Sequence, residues 1–190
     1  MDYREDIKRS VEALRSGGVI LYPTDTIWGL GCDAADEMAV KKIYTIKKRP
    51  VSTSMIILVD SASMLERYTT DTPDIAFELI DVADEPLTLV LPVRAGLLAP
   101  QLISDDGFIG IRICRDDFCS TLIGKLRKPI VSTSANISGD TPPATFAEIS
   151  EEVKESVDFV VKYRQNDTGR ATPSPVIKIL PNGTIEILRK

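Results

Sequence analysis

One segment organises the interpretation of this chain: Val19-Ile20-Leu21-Tyr22-Pro23-Thr24-Asp25-Thr26-Ile27-Trp28-Gly29-Leu30-Gly31. Its first four residues are apolar or aromatic and predict a short buried strand. The loop that follows exposes two hydroxyls and a carboxylate, and its glycines let the backbone approach a ligand closely. Such a loop suits a small polar substrate. The same residue types are also typical of a turn in which the side chains bind only the backbone.

Helical and strand patterns alternate along most of the chain, which indicates a mixed α/β sheet with flanking helices. The chain has 190 residues, 43% of them hydrophobic, so we expect residues 1–190 to form a single domain with one core. The predicted helices cover about 7–14, 36–47, 73–83, 118–126 and 145–153. The predicted strands cover 19–22, 55–59, 87–91, 109–113, 130–132, 159–163, 176–180 and 184–188.

Helix boundaries can be predicted from individual residues. Asp36 is a good capping residue for the second helix, and Gly17-Gly18 ends the first. Thr145-x-x-Glu148 has the form of a capping box, which predicts that the last helix begins there.

Two further segments carry polar groups that could bind a phosphorylated ligand. Lys47-Lys48-Arg49 follows the second helix, and Ser132-Thr133-Ser134-Ala135-Asn136 follows an apolar strand. Ligands gather at the carboxyl ends of strands in open α/β sheets, so the second segment predicts part of a site. Each has a simpler explanation: cations compensate the C-terminus of a helix, and hydroxyls are ordinary turn residues. The combination of all three segments favours a binding site.

The composition excludes several kinds of chemistry. There is no histidine, so a Ser-His or Cys-His nucleophile pair and an imidazole base are excluded. Cys32, Cys114 and Cys119 lack the spacing of a zinc site, so we expect reduced core cysteines and no protein metal site. The net charge of -5 argues against a broad nucleic-acid surface. No apolar run could span a membrane and the first residues lack a secretory signal, so we expect a cytoplasmic protein.

The three segments together resemble the YrdC/TsaC family of threonylcarbamoyl-adenylate synthases. The family's Lys-x-Arg and Ser-x-Asn motifs are matched by Lys47-x-Arg49 and Ser134-x-Asn136. The loop from Tyr22 to Gly31 matches the family's Tyr-Pro-Thr-(Asp/Glu)-Thr opening. Pro86-Leu87-Thr88, Gly110-Ile111-Arg112 and Pro173-Ser174 follow in the expected order, so the resemblance covers nearly the whole chain.

This resemblance implies a twisted mixed sheet with flanking helices around a basic concave cavity. It implies an enzyme, a nucleotidyltransferase that joins L-threonine, bicarbonate and ATP into threonylcarbamoyl-AMP with release of pyrophosphate. Mg²⁺ would accompany the ATP, and downstream transferase proteins would use the product to modify an adenosine in tRNA. The reaction mainly requires alignment and neutralisation of phosphate charge, which cations, hydroxyls and amides can provide without histidine.

The resemblance also implies roles for particular residues. Lys47 and Arg49 would be catalytic and would bind the triphosphate. The other ATP-binding residues would be Thr53, Ser132, Ser134, Asn136 and Arg189. Thr26, Arg112 and Ser174 would bind L-threonine, with Arg112 holding the carboxylate; its alternative role is a structural salt bridge.

The chain departs from the family pattern at two places. Leu58 stands where many members have a histidine, so an imidazole on the threonine side is absent. Trp28 stands where tyrosine is common, which changes the wall of the amino-acid pocket.

Two other functions are compatible with the same residues. Lys41, Lys42, Lys47, Lys48 and Arg49 could belong to a double-stranded RNA-binding or ribosome-associated module without turnover, or make weak RNA contact. A carbamoyl-transfer enzyme similar to the related domain of hydrogenase-maturation proteins is the third possibility.

Overall fold

The computed structural model of the chain describes residues 3–50, 55–169 and 172–190. The helices are α1 Arg4–Arg15, α2 Glu37–Ile46, α3 Ala62–Tyr68, α4 Asp74–Val82, α5 Asp117–Leu126 and α6 Glu151–Glu155. The strands are β1 Ile20–Tyr22, β2 Gly29–Gly31, β3 Ile56–Val59, β4 Thr88–Pro92, β5 Phe108–Ile113, β6 Ile130–Ser134, β7 Phe159–Val160, β8 Val176–Ile179 and β9 Ile185–Arg189. Short 3-10 turns lie at Pro100–Leu102 and Phe146–Glu148.

The strands of the described residues form one nine-stranded sheet in the order β7-β1-β2-β6-β3-β5-β4-β8-β9. The pairs β1–β7, β3–β5 and β4–β8 are parallel, and the other neighbours are antiparallel. The predicted mixed α/β sheet with flanking helices is confirmed. Strands that are distant in the sequence alternate across it, so residues from both halves of the chain meet near its centre.

Gly31 of β2 packs closely against residues of the neighbouring strands β1 and β6. A Cβ atom on Gly31 would lie 2.6 Å from Cε1 of Tyr22 and 2.9 Å from the carbonyl oxygen of Val131. Real Cβ atoms do not approach backbone so closely, so only glycine fits between β1 and β6 at this point. The sequence interpretation treated Gly29–Gly31 as the return of a loop, whereas it is an interior strand of the sheet.

Several predicted boundaries are confirmed and others are corrected. The Asp36 side chain accepts from the amides of Met38 and Ala39, as a helix cap should. The capping box predicted at Thr145 is wrong, because its side chain makes no capping bond and α6 is capped by Ser150 instead.

The last part of the predicted strand 159–163 is also wrong. The amides of Lys162 and Tyr163 both donate to the Asp6 carboxylate, at 3.1 and 2.8 Å, and so take no part in the sheet. The predicted helix at 73–83 begins one residue later than expected, since Pro73 is its cap.

The core is apolar and contains all three cysteines, which are buried and free. Within the described residues, the helices are too short or too polar to cross a membrane.

Candidate functional site

A cavity of about 280 Å³ opens where the loop after β1, the end of β6 and the segment before β8 meet. It brings together most of the residues predicted from the sequence: Thr26, Arg49, Arg112, Ser132, Ser134, Ser174 and Arg189. The rest of its described lining is Ile27, Trp28, Gly29, Met55, Ile56, Thr133, Pro142 and Pro173. This described lining includes three arginines and no carboxylate, so the predicted basic cavity is present.

Arg112 of β5 supplies a buried guanidinium, 3% exposed, to this cavity. Its Nη1 donates to Ser174 Oγ at 3.1 Å and its Nη2 to Thr26 Oγ1 at 3.3 Å. Nη2 also forms an ion pair with Asp25 Oδ1 at 2.9 Å. Within the described residues, its Nε–H has no hydrogen-bond partner. A planar fork held by three neighbours, with donors still available, suits a bidentate contact with a carboxylate.

Asp25 fixes the orientation of that guanidinium. Burial raises the pKa of the Asp25 carboxyl, and the charge of Arg112 acts against that rise. A buried pair must offset the lost hydration of both ions, so its main effect is on geometry rather than on stability. The structural salt bridge considered for Arg112 therefore exists alongside its position in the cavity.

Thr24 shapes the loop that carries Thr26. The Thr24 hydroxyl accepts from the Thr26 amide at 3.0 Å and donates to the Ile27 carbonyl at 2.9 Å. The two threonine hydroxyls also lie 3.0 Å apart. Both interpretations of this loop therefore apply: Thr24 serves the turn, while Thr26 faces the cavity.

Lys47 lies behind the cavity rather than in its lining. Its side chain is among the largest that are fully buried, and its Nζ donates to the carbonyls of Ser134 at 2.6 Å and Asn136 at 2.8 Å. Burial and the nearby charge of Arg49 lower the pKa of Lys47 to about 8. Lys47 thus fixes the backbone of the Ser134–Asn136 segment and adds positive charge beneath it.

Asn136 has a similar structural role. Its Nδ2 donates to the carbonyls of Ile137 at 3.0 Å and Asp140 at 2.8 Å, which closes the turn after β6. The structure places Asn136 next to Lys47 and not in the described lining of the cavity. Ser132 and Ser134, in contrast, belong to its lining.

Arg49 connects the cavity to a shallow depression of about 510 Å³ whose other lining residues are Lys41, Tyr44, Thr45, Lys48 and Pro50. The Arg49 amide donates to the Tyr44 carbonyl at 3.0 Å, which fixes the chain after α2. Lys48 is exposed and forms an ion pair with Glu152 at 2.7 Å.

The segment before β8 and the last residue of β9 also contribute to the cavity lining. Arg189 donates from Nε and Nη2 to the Ser174 carbonyl, at 2.9 and 2.7 Å. The Ser174 hydroxyl lies 2.7 Å from that of Thr88. Arg189 therefore orients Ser174, while its guanidinium remains part of the cavity lining.

Some lining residues were not predicted as site residues. Trp28 contacts both the cavity and Phe146, with ring centroids 4.8 Å apart. Trp28 had no predicted binding role, although the sequence placed it in the wall of the amino-acid pocket. Met55, Ile56 and Pro142 gave no signal, because apolar residues in strands and turns are common. Thr53, predicted to bind ATP, lies outside the described residues.

The site does not have the donor set of a metal centre. No group of three or more Cys, Asp or Glu side chains suited to a metal ion occurs among residues 3–50, 55–169 and 172–190. The Asp25 carboxylate is already paired with Arg112. These residues do not fit a resident magnesium ion.

Comparison with known proteins gives consistent results. The Sua5/YciO/YrdC family model, described as telomere recombination, matches residues 12–190. A threonylcarbamoyl-AMP synthase of Idiomarina loihiensis is 34% identical over 168 residues, covering 87% of this chain and 89% of that protein. A putative threonylcarbamoyl-AMP synthase of Methanocaldococcus jannaschii is 34% identical over 191 residues, covering 96% of this chain and 86% of that protein.

Solved structures share the fold. Escherichia coli YciO matches 98% of this chain and 89% of its own, with a TM-score of 0.83 and 26% identity. P. abyssi Sua5 complexed with L-threonine matches 97% of this chain with a TM-score of 0.85 and 28% identity. The present chain spans 54% of that Sua5 chain.

Proposed function

Because the chain belongs to the Sua5/YciO/YrdC family, we propose that it is a threonylcarbamoyl-AMP synthase acting on L-threonine, bicarbonate and ATP. Its relatives carry the name of this synthase, which makes the chain an enzyme of the same group. We also propose that the reaction transfers the adenylyl group of ATP, which would place the enzyme among the nucleotidyltransferases. The product would supply downstream transferase proteins that modify an adenosine in tRNA.

One observation supports the proposal: groups suited to a carboxylate and groups suited to phosphates line one cavity. Arg112, Thr26 and Ser174 form a linked hydrogen-bonded set in the lining. Arg49 and the Ser132–Ser134 strand end line the same cavity. An amino acid held at the first group would meet the phosphates of a nucleotide held at the second, which supplies the proximity that adenylation requires.

The residues can be assigned steps in this reaction. Arg112 would bind the threonine carboxylate, and the amine would react with bicarbonate to give water and a carbamate. Its oxygen would attack the α-phosphorus of ATP, and the bond to the β-phosphate oxygen would break to release pyrophosphate. Arg49, with Lys47 beneath the Ser134–Asn136 backbone, would stabilise the negative charge that develops there.

Magnesium is proposed to enter as the ATP complex, held by phosphate oxygens rather than by the protein. The described residues contain no group of carboxylates suited to a metal ion, which supports binding of magnesium through the phosphates. A cytoplasmic location is also proposed, because three free buried cysteines suit a reducing compartment.

The test is pyrophosphate release from ATP and Mg²⁺ with L-threonine and bicarbonate, together with a product mass equal to threonylcarbamoyl-AMP. Omitting threonine or bicarbonate should abolish both signals. Equal pyrophosphate release without threonine would show that the amino-acid substrate is wrong.

The alternatives remain separable by experiment. Salt-sensitive affinity for double-stranded RNA without nucleotide turnover would favour an RNA-binding module. The Lys48–Glu152 pair weakens that alternative, since it neutralises part of the basic surface. Turnover of carbamoyl phosphate would favour the carbamoyl-transfer enzyme; the likeness to HypF, at 22% identity and a TM-score of 0.81, shows a shared fold alone.

A further inference from the structure

Arg164 lies outside every motif that identified the site, yet it contacts the loop after β1. Its Nη1 donates to the Thr24 carbonyl at 3.2 Å and to Asp116 Oδ2 at 3.1 Å. Its Nε donates to Asp167 Oδ2 at 2.8 Å. One guanidinium thus joins the loop after β1, the N-terminus of α5 and the segment after β7.

The backbone at Arg164 is in an unfavourable conformation. Its φ of 65° lies in the left-handed region, which a side chain other than glycine adopts at a cost of about 1–2 kcal/mol. The solvent-exposed ion pair of Arg164 contributes too little stability to offset this backbone cost. Asp167 is 53% exposed, so its ion pair with Arg164 is screened by solvent and contributes little stability.

A continuous set of hydrogen bonds runs from Arg164 to the cavity. The Thr24 carbonyl is held by Arg164, and the Thr24 hydroxyl binds the Thr26 amide. The Thr26 hydroxyl accepts from Arg112 Nη2. A shift of Thr24 would therefore move the group that fixes one arm of the Arg112 fork.

The support under this loop comes from α5. Asp116 caps α5 through the Cys119 amide at 3.0 Å while its second oxygen accepts from Arg164. The Cys119 thiol in turn donates to the Pro23 carbonyl at 3.3 Å. Two successive carbonyls of the loop, those of Pro23 and Thr24, are thus held by side chains anchored at one helix terminus.

We infer that Arg164 is a positioning residue for the amino-acid side of the cavity, which sets Thr26 and Arg112 for the substrate's carboxylate. This inference rests on the proposed function, because it takes L-threonine as the occupant. Arg164 would not contact the substrate, and the nucleotide side would not depend on it.

Arg164→Gly separates this role from a structural one. Glycine relieves the left-handed strain and removes the guanidinium, so the two effects on stability oppose each other. We expect a melting temperature within about 3 °C of wild type. We expect the Kd for L-threonine, measured by calorimetry, to rise about three- to tenfold, with the KM for ATP changed less than about twofold.

Asp167→Asn is the matched control, because it weakens the Nε contact and leaves the Thr24 contact in place. It should bind threonine as wild type does. Arg164→Lys should show intermediate affinity, since an ammonium can reach one acceptor but not all three.

The outcomes distinguish the two proposals. Wild-type protein with no affinity for threonine overturns the proposed function and this inference with it. Threonine affinity that is normal in wild type and unchanged in Arg164→Gly overturns this inference alone. Equal losses in Arg164→Gly and Asp167→Asn, or parallel losses for threonine and ATP with a lowered melting temperature, indicate general support of the loop and also overturn it.

Discussion

Replacing Gly31 by alanine tests whether the close approach of β1, β2 and β6 holds the site together. The added Cβ would lie 2.6 Å from Tyr22 Cε1, 2.9 Å from Ile130 Cγ2 and 2.9 Å from the Val131 carbonyl. Tyr22 is fully buried and the Val131 carbonyl is backbone, so neither can move aside without displacing a strand.

The expected cost follows from these distances. Forcing one methyl into a packed core costs about 1–3 kcal/mol, and a backbone obstacle places Gly31→Ala near or above the top of that range. For a chain of this length, about 3 kcal/mol corresponds to a fall of about 6–12 °C in melting temperature. Gly29 and Ser134 pair across the same strands, so the KM values for threonine and ATP should rise as well.

Gly124→Ala is the matched control, because Gly124 lies within α5 and its added Cβ would meet only Asp60 Oδ2 at 3.7 Å. This variant should melt at or slightly above the wild-type temperature, since alanine favours a helix interior by about 1 kcal/mol. Thermal unfolding followed by circular dichroism measures both variants. A Gly31→Ala protein as stable as Gly124→Ala would refute the packing argument.

Three further predictions concern the charged residues of the site. Lys47→Met should raise the KM for ATP about tenfold or more, because two charge-assisted bonds to the Ser134–Asn136 backbone are lost. The Lys48 side chain is 62% exposed, so Lys48→Met should change the KM for ATP less than about twofold. Equal KM values for the two variants would contradict this role of Lys47. Arg112→Lys should raise the KM for threonine more than about tenfold with little change for ATP, since an ammonium cannot reproduce the fork, and steady-state kinetics with each substrate varied would expose an opposite pattern. Because burial lowers the pKa of Lys47 to about 8 from 10.5, the unfolded state binds more protons between these pH values, and the free energy of unfolding rises with pH. Urea unfolding should therefore show the free energy of unfolding of wild type increasing relative to that of Lys47→Met from about pH 7.5 to about pH 9.5. A constant or decreasing value of wild type minus Lys47→Met would exclude this linkage.

Much of the fold follows from sequence periodicity, and the exceptions have physical causes. The strand Gly29–Gly31 was missed because glycine has low strand propensity, and its pairing comes from the space between two neighbours rather than from its own side chains. Helix α3 was missed because it has only seven residues, although the Ser61 cap on Met64 was a usable signal. The capping box at Thr145 did not form, since the Thr145 side chain makes no capping bond and Glu148 accepts from the amide of Ala144.

The site was predicted better than its internal contacts. Family motifs placed Arg49, Arg112 and Ser174 in one cavity. Motifs do not reveal which way a side chain points, so the burial of Lys47 against two carbonyls could be found only from coordinates. Arg164 had no motif at all, since its importance arises from a backbone conformation and from partners distant in sequence. The single-domain organisation of residues 1–190 stays a prediction.

The alternation of distant strands across the sheet has a consequence for how the molecule is made. The Val19 amide binds Asp158, which is 139 positions away, and β8 joins β4 only after most of the chain is available. Contacts of such long range are slow to form, because a long loop must close, at a cost in entropy, before any of them contributes stability. Ser174 and Arg189 come from this late-pairing region, so ligand capture becomes a sensitive probe of complete folding: refolding intermediates that already show native-like circular dichroism should still be unable to bind threonine.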